Sequence, residues 1–102
     1  MSELVVIVTG GSRGAGRRVA RELAGAGHAV VVVYLDDQRA AEAAVEEALA
    51  AGGAALAIRA DVTDDLDVER LFDETIAAFG RIDLVIGAAA CDHSVLARHA
   101  AG

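Results

Sequence analysis

The stretch VTGGSRGAG, Val8–Gly16, decides how the rest of the chain is read. It follows LVVIV, Leu4–Val8, a run rich in β-branched residues with no polar alternation. Such a run predicts a strand covered on both faces. From Ala15 onward, apolar residues fall at Val19, Leu23 and Ala26, which is helical spacing, and Gly27 stands where a left-handed C-cap is expected. A glycine loop between a strand and a helix suits the pyrophosphate of a dinucleotide. Side chains there would block its approach, and the helix N-terminus turns unpaired N–H groups and the positive end of its dipole toward it. Gly10 then permits the tight turn, Gly14 admits the pyrophosphate, and Gly16 lets the helix pack on the strand. Ser12 and Arg13 add donors. Taken alone, a glycine cluster is simply a turn. The flanking strand, the following helix and a second strand one unit later favour the dinucleotide reading.

The same alternation continues. AVVVVY, Ala29–Tyr34, predicts a second buried strand, and Asp36 and Asp37 offer an N-cap. Ala41, Ala44, Val45, Ala48 and Leu49 form one face of a second helix, stopped by Gly52 and Gly53. AALAIRA, Ala54–Ala60, predicts a third strand, poorer because alanine is a weak strand former. After the turn DVTDD, a stripe of Val68, Leu71, Phe72, Thr75, Ile76 and Phe79 predicts a third helix ending at Gly80. IDLVIG, Ile82–Gly87, predicts a fourth strand. Short connections between alternating strands and helices predict an α/β fold with a parallel sheet and right-handed crossovers.

Composition narrows the function classes. At 102 residues the chain is one domain near the small end of what buries its own core. Its residues are 55% hydrophobic, but much of that is alanine, so we expect modest stability without a ligand or partner. The net charge of −7 argues against nucleic acid and anionic membranes as partners. No apolar run is long enough to span a bilayer, no secretory signal pattern opens the chain, and a single cysteine gives no disulfide framework. These features together predict a cytoplasmic protein.

At two places in register the sequence resembles the short-chain dehydrogenase/reductase family. TGGSRGAG, Thr9–Gly16, is similar to the family's cofactor loop, Thr-Gly-x-x-x-Gly-x-Gly, which commonly has isoleucine where Ala15 stands. ADVTD, Ala60–Asp64, matches the turn after its third strand. The resemblance, which covers Leu4 to about Ala90, implies that Asp61 accepts from the adenine amino group and that the Val62 backbone binds the ring. It implies a truncated Rossmann-like, three-layer α/β/α fold whose four-stranded parallel sheet has the order 3-2-1-4. Residues 1–90 would be the dinucleotide-binding half, and 91–102 a tail of unassigned structure.

Several signals bear on NAD against NADP, and they conflict. Tyr34 occupies the position that NAD-type members give to aspartate. Arg13, just before Gly14, matches a basic residue frequent in members preferring NADP, but Leu35 stands where those members tend to add an arginine, and Asp36 and Asp37 oppose a phosphate. NADP is the cofactor expected, because a 2′-phosphate needs a cation and Arg13 is placed to supply one. NAD is the alternative. IGAAA, Ile86–Ala90, replaces the family's Asn-Asn-Ala-Gly: Gly87 and Ala88 stand for the asparagines, Ala89 matches, and Ala90 replaces the glycine. Small residues keep room for the cofactor and lose the side-chain hydrogen bonds.

The family's chemistry uses a tyrosine acid/base, a lysine that lowers its pKa, a serine and an asparagine. These 102 residues contain no lysine and no asparagine, and Tyr34 falls at the adenosine end. The resemblance therefore implies no catalytic residue here, and an early end such as a truncated or frameshifted reading frame or a deliberate fragment would produce. In the tail, Cys91 with His93 gives too few ligands for a metal site, and Ser94 beside His93 makes no nucleophile pair. Three functions remain open: a dinucleotide-binding portion inactive alone, an oxidoreductase completed by a partner chain, and a non-enzymatic interaction domain. Without later strands, Leu84–Ile86 would lie at an exposed sheet edge and favour a homo-oligomer or a partner chain.

Overall fold

The computed structural model describes residues 3–87 together with Val95 and Ala97. Four strands, β1 (Val5–Thr9), β2 (Ala29–Tyr34), β3 (Ala54–Arg59) and β4 (Leu84–Gly87), alternate with three helices, α1 (Gly14–Gly25), α2 (Gln38–Ala50) and α3 (Asp65–Phe79). All strand pairs are parallel and the order is β3-β2-β1-β4. This is the Rossmann-like arrangement expected from the sequence. The third and fourth strands are shorter than their apolar runs, stopping at Arg59 and starting at Leu84 respectively.

The two faces of the sheet are covered differently. On one face Ile7, Val31, Val33 and Ile58 pack with Val68 and Leu71 of α3, and Val95 is buried in the same cluster. On the other, Val30 and Val32 pack with Ala20 and Ala24 of α1 and with Ala41, Ala44 and Ala48 of α2. Successive residues of β2 thus serve opposite layers, which is why its whole run is apolar. The α1–α2 layer is built from alanine, so those helices lie close to the sheet and bury little area per residue.

The predicted helix faces are wider than the buried ones. Leu49 of α2 is 52% exposed and Ile76 of α3 is 49% exposed, whereas Ala41, Ala44, Ala48, Val68, Leu71 and Thr75 are buried. The Thr75 hydroxyl is satisfied by the Leu71 carbonyl at 2.7 Å.

Helix ends follow the capping chemistry that the sequence suggests. Asp37 caps α2, accepting from the Ala40 N–H at 3.0 Å, and Asp64 caps α3, accepting from Leu66 and Asp67. Gly27 and Gly80 take the expected left-handed turns after α1 and α3. Two long-range polar ties close the layers. The Arg17 guanidinium grips the Glu47 carboxylate with two hydrogen bonds, at 3.1 and 2.6 Å, joining α1 to α2. Asp83 accepts from the Val5 N–H at 2.7 Å and from Arg81 at 2.8 Å, fixing the entry to β4 beside β1.

Candidate functional site

In a parallel sheet every strand points the same way, so the loops after β1, β2 and β3 gather at one end. There they enclose a cavity of about 390 Å³ lined by Thr9, Gly10, Ser12, Val33, Tyr34, Leu35, Ala60, Asp61, Val62 and Thr63. The strand order reverses direction between β1 and β4. This end of the sheet is where open α/β folds take ligands. A second cavity, of about 500 Å³, lies between α2 and the β3 edge, but Glu42 and Glu46 line it and would repel a phosphate.

The loop after β1 has the features a phosphate requires. Thr9 is buried, and its Oγ1 donates to the Ile86 carbonyl at 3.4 Å, tying the loop's start to β4. Gly10 and Gly14 have φ of 68° and 56°. At Gly14 an added Cβ would meet no atom within 4 Å, so the backbone there faces open space. Gly16 is buried on the inner side of α1, and Ala15 beside it is exposed. Arg13 is the N-cap residue of α1 but makes no side-chain cap, and no acidic residue stands in the first turn. The other two helices are capped by aspartates, whereas α1 leaves its leading N–H groups without a capping side chain. An uncapped N-terminus with no carboxylate in its first turn is an anion-receptive one. The residues present therefore fit a dinucleotide pyrophosphate at this place.

The loop after β3 is held by its own side chains. Thr63 donates to Asp61 Oδ1 from its N–H at 2.9 Å and from its hydroxyl at 2.6 Å. Asp67, on the first turn of α3, accepts from the Asp61 N–H at 2.8 Å. These bonds fix the direction of the Asp61 carboxylate at the cavity wall and leave Oδ2 outside the Thr63 grip. Val62 is buried beside it. Sequence reasoning singled out Asp61 and Val62, which line the cavity, and passed over Thr63 and Asp67. The Asp-x-Thr spacing of an Asx turn was a usable signal for the first, and nothing local pointed to Asp67. It also passed over Gly11, where an added Cβ would sit 3.0 Å from the Val8 carbonyl oxygen and 3.3 Å from Val32.

Tyr34 lines the cavity at the tip of β2, as expected. Arg13 is paired with the Asp37 carboxylate, joining the loop after β1 to the loop after β2. Ala88, Ala89 and the tail residues Cys91, His93 and Ser94 lie outside the described residues.

Four carboxyls are held below the usual carboxylate range. The Ala40 N–H and then Arg13 do so at Asp37, Arg17 at Glu47, the Thr63 hydroxyl and N–H at Asp61, and the Val5 N–H at Asp83. A depressed folded-state pKa contributes stability that is present above the unfolded value, about pH 4, and is lost as pH falls through the folded value. The thermal midpoint should therefore be flat from neutrality to about pH 5 and fall progressively below about pH 4. A midpoint unchanged down to about pH 2.5 would show that these bonds do not stabilise the fold.

The short chain dehydrogenase model matches residues 4–101. The chain belongs to the short-chain dehydrogenase family. Over 82 residues it is 43% identical to the hydroxynaphthalene reductase-like protein Arp2 of Metarhizium robertsii, covering 80% of this chain and 31% of that one. A dehydrogenase from Burkholderia cenocepacia with bound NADP superposes with a TM-score of 0.80 at 38% identity, covering 84% of this chain and 34% of the other. An NADH-dependent reductase, A1-R′, complexed with NAD, superposes with a TM-score of 0.77 at 28% identity, covering 84% and 36%. This short-chain dehydrogenase sequence spans about a third of the length of the curated relatives it matches. Similar folds in the family thus hold either dinucleotide. No helix among the described residues is long and apolar enough to cross a membrane.

Proposed function

We propose that this chain is the adenine-dinucleotide-binding portion of a short-chain dehydrogenase/reductase, with residues 1–90 as the binding unit and 91–102 as a tail. The observation that carries this reading is the uncapped N-terminus of α1, opening at Gly14 beside the cavity that Tyr34, Asp61 and Val62 line. The pyrophosphate lies over Gly10–Gly16, with Thr9 and Ser12 shaping the loop and Ala15 in the first turn. The adenine sits against Val62 with its amino group toward Asp61, and the ribose approaches Tyr34. The family resemblance assigns Ala88 and Ala89 to the cofactor as well. Arg13 supplies the cation for a 2′-phosphate, so NADP is the preferred cofactor and NAD the second. A nicotinamide dinucleotide supplies the hydride in such chemistry. The residues of this chain bind and orient it, and they include no lysine or asparagine to complete an acid/base set. Residues beyond these, on the same polypeptide or on a partner, supply that step.

Calorimetric titration with NADP⁺ and with NAD⁺ tests the reading. Binding of at least one, with NADP⁺ the tighter, is expected; no heat and no thermal shift with either would favour an interaction domain without a cofactor. Oxidation of NADPH by these 102 residues alone would overturn the division of labour.

The outer edge of β4 bears on partners. Among the described residues β4 pairs only with β1, and Leu84 is 47% exposed. An open parallel edge bearing an exposed leucine recruits a strand, from a second copy or from the chain that completes the enzyme. Light scattering at tens of micromolar, the range where such species associate, should give a mass above that of one chain; a monomer mass counts against the proposal.

A further inference from the structure

The cation and the carboxylate that pull the cofactor choice in opposite directions are bonded to each other. Arg13 Nη2 donates to Asp37 Oδ2, while Asp37 Oδ1 accepts from the Ala40 N–H at 3.0 Å. Asp37 is thus anchored by its role at the start of α2, and its second oxygen holds the guanidinium. Arg13 directly follows the cavity residue Ser12, and Asp37 lies two residues past the cavity residue Leu35. The pair therefore spans the two loops between which the adenosine ribose would enter. The paired carboxylate offsets the charge of the guanidinium, so a 2′-phosphate that binds Arg13 has to compete with Asp37 for it. A ribose with a free 2′-hydroxyl makes no such demand.

We propose that Asp37 sets the discrimination between NADP and NAD, acting through Arg13. The carboxylate is a built-in competitor for the guanidinium that the 2′-phosphate uses, and it narrows the preference that Arg13 alone would give. This rests on the dinucleotide reading above. Asp37 is a positioning residue in this scheme: it holds Arg13 against the loop after β2 in the free protein and yields it to phosphate in the complex.

The test is a double-mutant cycle by calorimetry with NADP⁺ and NAD⁺ on the wild-type chain, Asp37→Asn, Arg13→Ala and the double variant. Asparagine keeps the α2 cap, so the fold is preserved, and Asp37→Ser, which also caps but is too short to reach Arg13, is the second version. The ratio of NADP to NAD affinity should rise by about 1.5-fold to fivefold in Asp37→Asn, the factor an exposed ion pair is worth. In the Arg13→Ala background the same change should leave the ratio where it was. An equal rise in both backgrounds would mean that Asp37 repels phosphate directly, and the proposal falls. A ratio that Asp37→Asn and Asp37→Ser do not move overturns it as well. No heat with either dinucleotide in the wild type removes the binding reading itself, and this inference with it.

Discussion

Gly53→Ala is expected to destabilise the chain by about 1–3 kcal/mol, toward the upper end, the usual cost of overpacking. An added Cβ at Gly53 would lie 2.6 Å from Ala24 Cα, 2.6 Å from the His28 carbonyl oxygen and 2.7 Å from Ala24 Cβ. Two of these three neighbours are backbone atoms, which cannot rotate away. The turn between α2 and β3 is pressed against the end of α1 and the entry to β2, so relief requires moving a whole element. The Gly53 N–H also bonds to the Ala48 carbonyl at 3.3 Å, which holds the turn where it is. In a chain of this size such a loss lowers the thermal midpoint by roughly 5–20 °C. Circular dichroism melting reads it directly, and a midpoint within about 2 °C of wild type would contradict the packing described.

The second large effect is on binding and leaves most of the stability in place. Gly14→Val puts a branched side chain into the open space above the first turn of α1, where the pyrophosphate is proposed to lie. No protein atom opposes the new Cβ, so the penalty to the fold is that of holding a β-branched residue at a φ of 56°, and circular dichroism identifies the folded protein on which binding is read. The dinucleotide can no longer approach the backbone. Losing one charge-assisted hydrogen bond is worth about 1.5–3 kcal/mol, which corresponds to about tenfold to hundredfold in affinity. Titration of NADP⁺ into a folded Gly14→Val variant should show that loss. Affinity within about twofold of wild type would place the phosphates elsewhere.

These two glycines show how differently a sequence discloses its parts. Gly14 is legible because its neighbours are: a strand before it, helical spacing after it, and other glycines at set distances. Gly53 looks like Gly52, a second residue to stop a helix, and only the fold separates them. Gly52 adopts a φ of 107° with space around it, whereas Gly53 is demanded by the approach of Ala24 and His28. Thr63 is intermediate, since its bond to Asp61 spans two residues and follows from turn chemistry, but its consequence depends on where β3 delivers the turn.

What the sequence determined by itself is local or periodic. The alternation of apolar runs with helically spaced stripes, the pair Asp36 and Asp37 offered as a cap, and the glycine loop each depend on neighbours within one turn or strand. Together they specify an α/β sheet and a glycine loop at the start of its first helix. What only the tertiary structure decided lies between residues far apart in the chain. Arg13 meets Asp37, 24 residues on, because β1 and β2 are adjacent and parallel. Arg17 meets Glu47, 30 residues on, because α1 and α2 share one face. Asp83 caps the start of β1 from 78 residues away because β4 pairs on its other side. A charge in a loop carries no record of which opposite charge the sheet will bring to it, so whether Arg13 stood free or held could be settled only once the strands were in order.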